Sequence, residues 1–252
     1  TVNSIYDLDV GYVSEILTNK PMLYEFWNKK FADLYEKDPE YHGLASGAPP
    51  QKADWLLEPK SIVNEDLRAA LDTVQIESVM NMSFQILDDL SEYYSKIKTG
   101  ERTQYAQSEI YKKCIQAESF LAQICEVAGL DRLCDALNDI SVKIRYTLGG
   151  EQDILENAEE YHKSLIDGDA VLSATQEMIS SQGYEIIQED QVIRNEKKYG
   201  TMSREYLLLD SNEKELRCIM RVKTVGSIAK KMLSGKKITD FIGLTYITDV
   251  DD

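Results

Sequence analysis

Apolar residues recur at three- and four-residue steps through roughly the first two thirds of the chain and alternate at two-residue steps in the last third, so helices are expected first and strands later. Leu23, Phe26, Trp27, Phe31, Leu34 and Tyr35 make one stripe, which predicts a helix over residues 21–37 with Pro21 in its first turn. A shorter helix is expected over 10–18. Residues 43–51, GLASGAPPQ, carry too much Gly and Pro for a helix and read as a loop. Leu67, Leu71, Val74, Val79, Met82, Ile86, Leu90 and Tyr94 form a nearly continuous stripe, predicting a single long helix over 64–98 that Thr99-Gly100 stops. Further helices are expected over 104–127, ended by Gly129, and over 130–148, where Leu133, Leu137, Ile140 and Ile144 share a side.

No segment repeats at a fixed period, which favours a helical bundle over a solenoid. Gly149-Gly150 marks the expected end of a helical domain spanning residues 1–148, and an acidic helix over 152–166 follows. Past Asp167-Gly168-Asp169 the texture changes. Residues 170–182 predict a helix closed by Gly183, 184–188 a short strand, and 194–203 a polar, basic loop. Residues 204–209 and 216–223 flank the turn-forming Asp210-Ser211-Asn212-Glu213 and predict an antiparallel hairpin. With a helix over 227–233 closed by Gly235 and a strand over 241–248, the second domain, residues 168–252, runs α, β, β, β, α, β. The expected class is α+β, with a mixed sheet carrying helices.

Composition narrows the functional classes. A formal net charge of −16 argues against a general DNA binder or a protein that coats anionic membranes. The charge is unevenly spread: residues 194–237 hold 12 Lys and Arg against 5 Asp and Glu, a local balance of +7, whereas the remainder holds 16 against 39, or −23. A basic island of this size suits a small polyanion better than a duplex, which engages many phosphates over a broad face. Neither a membrane-spanning run nor a basic-then-apolar leader is visible. Cys114, Cys125, Cys134 and Cys218 lack metal-ligand spacing and read as buried free thiols, consistent with a cytoplasmic location. The Asp88, Asp89 and Glu92 group and the terminal Asp249, Asp251 and Asp252 read as solvated acidic surface, and the two histidines, His42 and His162, suggest no metal pair.

The stretch that suggests chemistry is ELRCIMRVKTVGSIAKKMLSGKKITDFIGLTYIT, residues 215–248. Period-two alternation over 215–223 puts Leu216, Cys218, Met220 and Val222 on one face and Arg217, Ile219, Arg221 and Lys223 on the other. Ser227 is the expected N-cap of the next helix, and Lys231 lies one turn inside it. A basic strand end, a helix N-terminus and a helical lysine converge as a polyphosphate requires. Asp240, at the mouth of the next strand, can then hold a magnesium ion against those phosphates.

Arg221, Lys223, Ser227, Ile228 and Lys231, followed by Asp240 and Gly243 at the head of a strand, resemble the synthetase domain of RelA/SpoT proteins, the (p)ppGpp alarmone synthetases. The resemblance covers about residues 215–248. It implies a partial nucleotidyltransferase-like sheet and transfer of pyrophosphate from ATP to the 3′-hydroxyl of GTP or GDP. It also implies that Arg221, Lys223 and Lys231 are ATP-phosphate ligands and that Asp240 is the magnesium-binding catalytic aspartate. Thr245 stands where that family usually has an arginine, and the link from Lys231 to Asp240 is shorter than the family's. The family's second half, with a catalytic glutamate and a guanine-stacking tyrosine, would fall past Asp252, so this chain is expected to hold the phosphate half of a site. The His-Asp pair of the family's hydrolase half has no counterpart. A competing expectation is a regulatory module, in which the acidic helical domain binds a protein partner and the α/β part is a degenerate nucleotide-binding domain.

Overall fold

A computed structural model describes residues 22–36, 38, 48–60, 62, 64–73, 75–101, 103, 105–166, 170–189, 193–194 and 202–247. The helix expected over 10–18, most of the 43–51 loop, His42, Asp167-Gly168-Asp169, residues 195–201 of the basic loop and Asp249, Asp251 and Asp252 lie outside the described residues. Chain contacts divide the protein into two compact units, Thr1–Glu151 and Gln152–Asp252.

The first unit is helical. Helix α1 covers residues 22–31 and continues into a wide π-helical turn, Ala32–Glu36. Its stripe buries Leu23, Trp27, Phe31 and Tyr35, and Trp27 stacks on Phe120 with ring centroids 5.2 Å apart. A short 3₁₀ turn, Asp54–Leu56, precedes α2, Asn64–Thr73, and α3, Ile76–Thr99. The single helix expected over 64–98 is thus two. Gln75 takes an extended backbone, φ −71° and ψ 143°, before α3 begins. The sequence marks this break only by the β-branched pair Thr73-Val74, which weakens a helix without forbidding it. At its far end α3 stops as expected, with Gly100 left-handed at φ +73° and Glu101 N–H bonded to the Lys96 carbonyl.

The helix expected over 104–127 is continuous from Gln107 but changes its winding inside. Helix α4, Gln107–Gln116, widens into a π-helical turn, Ala117–Leu121, before α5, Ala122–Val127, and α6 follows over Asp131–Gly149. All five residues of that turn are buried, Glu118 included. The wider turn changes which residues face inward, and Glu118 meets Arg145 of α6 there: Arg145 Nη1 donates to both Glu118 oxygens, at 2.7 and 2.9 Å. Arg145 Nε donates to the Trp55 carbonyl at 3.0 Å and Nη2 to that of Leu57, so one fully buried guanidinium ties three segments together. The Gly149-Gly150 pair has a local cause. A Cβ on Gly149 would sit 2.5 Å from Leu56 Cδ2, and Gly150 ends α6 at φ +88°. The acidic group on α3 serves as ordinary ion pairs, Asp89 with Lys113 at 2.7 Å and Glu92 with Lys96. Among the described residues no helix is long and apolar enough to cross a membrane.

The second unit is α+β. It opens with α7, Gln152–Ile166, and α8, Ala170–Ser181. The strands are β1, Glu185–Glu189; β2, Ile193–Arg194; β3, Met202–Leu209; and β4, Glu215–Val222. Helix α9, Val225–Leu233, and β5, Ile242–Ile247, complete it. The sheet order is β1-β3-β4-β5, with β2 also on β3. Strand β3 begins inside the stretch expected to be loop, and Arg194 belongs to β2. Every pairing among these strands is antiparallel, which corrects the expected mixed sheet. The reason lies in the last crossover. Nine helical residues advance about 13 Å, the segment 234–241 reverses that travel, and β5 enters beside the end of β4, pairing Ile242 with Val222. The buried face is the one read from alternation: Leu216, Cys218, Met220 and Val222 of β4 join Tyr206, Leu208, Val171 and Ile179 in one core.

Candidate phosphate-binding site

Four segments meet around the end of β4. Strand β4 carries Arg221 on the face opposite the core, in register with Ser203 of β3 and Gly243 of β5. A Cβ on Gly243 would meet only the Arg221 carbonyl oxygen within 4 Å, at 4.0 Å, so β5 places no side chain directly opposite the arginine. Lys223 lies two residues on, about 7 Å along the strand and on the same face. Its N–H donates to the Phe241 carbonyl at 2.9 Å, extending the ladder by one residue and holding Lys223 next to the segment that carries Asp240.

Helix α9 starts at Val225, and its N-cap is Thr224 rather than Ser227. Thr224 continues the extended backbone of the strand, φ −66° and ψ 160°, and its Oγ1 accepts the Ser227 N–H at 3.3 Å. The same hydroxyl donates to Ser227 Oγ at 3.1 Å. Ser227 is therefore the third helical residue, oriented by a buried threonine. Sequence reasoning missed Thr224 because Gly226 invited a break one turn too late. The signal that could have found it is a Thr directly after a strand and three residues before a hydroxyl residue on an apolar helix, the usual cap spacing.

Lys231 projects one turn further along α9. Gly235 closes the helix as expected: it is left-handed at φ +65°, its N–H bonds the Met232 carbonyl, and Lys236 N–H bonds the Lys231 carbonyl, both at 3.0 Å. The chain then doubles back and presents Asp240 to both lysines. Lys223 Nζ lies 2.6 Å from Asp240 Oδ2, and Lys231 Nζ bonds Oδ1. The Asp240 side chain is 55% exposed, against 34% for Lys223 and 23% for Lys231, so the cluster sits at the surface with its lysines partly sheltered. Partial desolvation, then the neighbouring Lys223 and Lys236 charges, pull the Lys231 ammonium below the ordinary lysine range.

Lys223, Lys231 and Asp240 are thus in direct contact, with Ser227 one turn before Lys231 on α9 and Arg221 on the adjoining strand face. Thr245 is exposed on β5 opposite Ile219, and Lys236 and Lys237 are exposed beyond the helix. A magnesium ion prefers one or two carboxylates with phosphate and water oxygens filling an octahedron. Asp240 offers one accessible carboxylate, and no three His, Cys, Asp or Glu side chains gather among the described residues. The donor set fits an ion that arrives with phosphates and supplies most of its ligands from them. No family model, no curated protein and no solved structure matches this chain.

Proposed function

We propose that the second unit binds a nucleoside triphosphate through Arg221, Lys223, Ser227 and Lys231, and that it serves a nucleotide pyrophosphokinase of the RelA/SpoT type. The observation that carries this reading is the convergence on one carboxylate of Lys223, just past the end of β4, and Lys231, in the last turn of α9. Two ammonium groups on a single anion leave a local excess of one positive charge, and a triphosphate satisfies both. Arg221 extends the cationic face along β4, where its planar guanidinium can take two oxygens of a neighbouring phosphate. Ser227 adds a hydroxyl, and the N-terminal end of α9 favours negative charge.

In the proposed reaction these residues hold the ATP phosphates in place while a ribose 3′-hydroxyl of GTP or GDP attacks the β-phosphorus. They offset the charge that develops on the transferred pyrophosphate and on the departing AMP oxygen. Asp240 would hold magnesium, which polarises phosphoryl oxygens when bound.

Nuclear magnetic resonance titration of the chain with ATP and magnesium tests the assignment. Backbone amides of residues 223–231 and 240–243 should shift first and saturate together. Shifts centred instead on Lys236 and Lys237, or spread evenly over all lysines, would contradict it.

A further inference from the structure

We infer that Asp240 is an electrostatic latch that occupies the two lysines of the phosphate site in the ligand-free protein, so that phosphate must displace a carboxylate of this chain in order to bind. The inference rests on the proposed phosphate site and goes beyond it by assigning Asp240 a role before any nucleotide or metal arrives.

Both carboxylate oxygens of Asp240 are engaged, Oδ2 by Lys223 at 2.6 Å and Oδ1 by Lys231. The lysines come from different elements, the end of β4 and the second turn of α9, and the carboxylate bridges them. The chain is built to deliver it: the left-handed Gly235 turns the backbone at the end of α9, and the Lys223 N–H to Phe241 carbonyl bond fixes the return. Asp240 therefore presents its oxygens where a phosphate would present two of its own. It is also the most exposed member of the cluster and lies outside the sheet core, so it can swing away without disturbing packing.

A ligand anion and Asp240 thus compete for the same two ammonium groups. A dianionic phosphate group carries more charge than the carboxylate and wins only by the difference between the two interactions, which lowers the apparent affinity for metal-free polyphosphate. Exposed ion pairs are individually weak, so release of both should raise that affinity about three- to tenfold. The effect should fade as salt screens the site.

Two measurements on the full chain decide the matter. The first is calorimetric titration with inorganic tripolyphosphate in the presence of a chelator, comparing the wild type with Asp240→Asn. Tighter binding by the variant, with the gain shrinking at high salt, supports the latch, and measurable binding that is equal or weaker in the variant overturns it. The second needs no phosphate: acetylation of lysines by a limiting amine-reactive ester, read by mass spectrometry. Asp240→Asn should raise labelling of Lys223 and Lys231 about threefold relative to Lys236 and Lys237, and unchanged ratios would overturn the latch. If the ratios rise but neither protein binds tripolyphosphate, the latch stands as a lysine clamp while the phosphate-site reading fails, which separates the two claims.

Discussion

Substituting Glu118→Gln probes the only arrangement among the described residues in which a fully buried guanidinium meets a buried carboxylate. Arg145 is 0% exposed and Glu118 4%. Burial alone would lower the Arg145 pKa, but the charge and hydrogen bonds of Glu118 reverse that and raise it, so the arginine stays charged. Removing the partner charge leaves a cation in the core, a change that typically costs about 3–5 kcal/mol. The Trp55 and Leu57 carbonyls still accept from Arg145, so the lower end applies and about 3 kcal/mol is expected. With a urea dependence of about 2 kcal/mol per molar, the unfolding midpoint should fall by about 1.5 M. Both tryptophans, Trp27 and Trp55, belong to the first unit and are buried, so their fluorescence reports that unit within the whole chain. In the Glu118→Leu, Arg145→Met double variant no unpaired charge remains, and the loss should be at least about 2 kcal/mol smaller than the sum of the singles. A midpoint shift below about 0.5 M for Glu118→Gln, or singles that simply add, would mean that Arg145 is solvated and does not tie the unit together.

Three further outcomes are expected. Thr224→Ala should weaken α9 by about 1 kcal/mol, seen as faster hydrogen exchange over residues 225–233, whereas Thr224→Ser should keep most of the protection; equal exchange in both would rule out the cap. Gly149→Ala should destabilise the first unit by about 1–3 kcal/mol through its contact with Leu56, although Ala normally stabilises a helix, and a higher urea midpoint would contradict that packing. Burial raises the Cys125 thiol to about 11 and pushes Cys114 up further; unfolded thiols ionise near pH 8.5–9 while native ones stay protonated, so stability is retained below that range and falls as pH rises from about 9 toward 11. A tryptophan-detected midpoint that holds steady between about pH 9 and pH 10.5 would refute the burial argument.

Features set by neighbouring residues were legible in the sequence, and features set by tertiary contacts were less so. The two faces of β4, the stripe of α1 and the stop signals at Gly100 and Gly235 follow from periodicity and glycine chemistry, which act over neighbouring residues. The π-helical turn at Ala117–Leu121 does not, because a tertiary contact accompanies it: the wide turn brings Glu118 to Arg145, and no local propensity encodes that meeting. The same holds for the sheet, where the order of elements suggested a mixed sheet and the short α9 with its return segment instead makes the last pairing antiparallel. At the candidate site, residue spacing pointed to Arg221, Lys223, Lys231 and Asp240. It could not tell that Asp240 sits between the two lysines, nor that Thr224 rather than Ser227 caps the helix, since both depend on how the chain folds back after Gly235.

The central claim is that cations on β4 and α9 form one phosphate site rather than a diffuse basic surface. Calorimetry with ATP and magnesium on Arg221→Ala and Lys236→Ala tests it most directly, because Arg221 is on the site face of β4 while Lys236 lies exposed past Gly235. Wild-type affinity is expected between micromolar and millimolar, weakening as salt rises. Arg221→Ala should reduce it about three- to tenfold and Lys236→Ala by less than about twofold, given the strength of charge-assisted bonds in an open site. Equal affinities for the two variants would contradict the account.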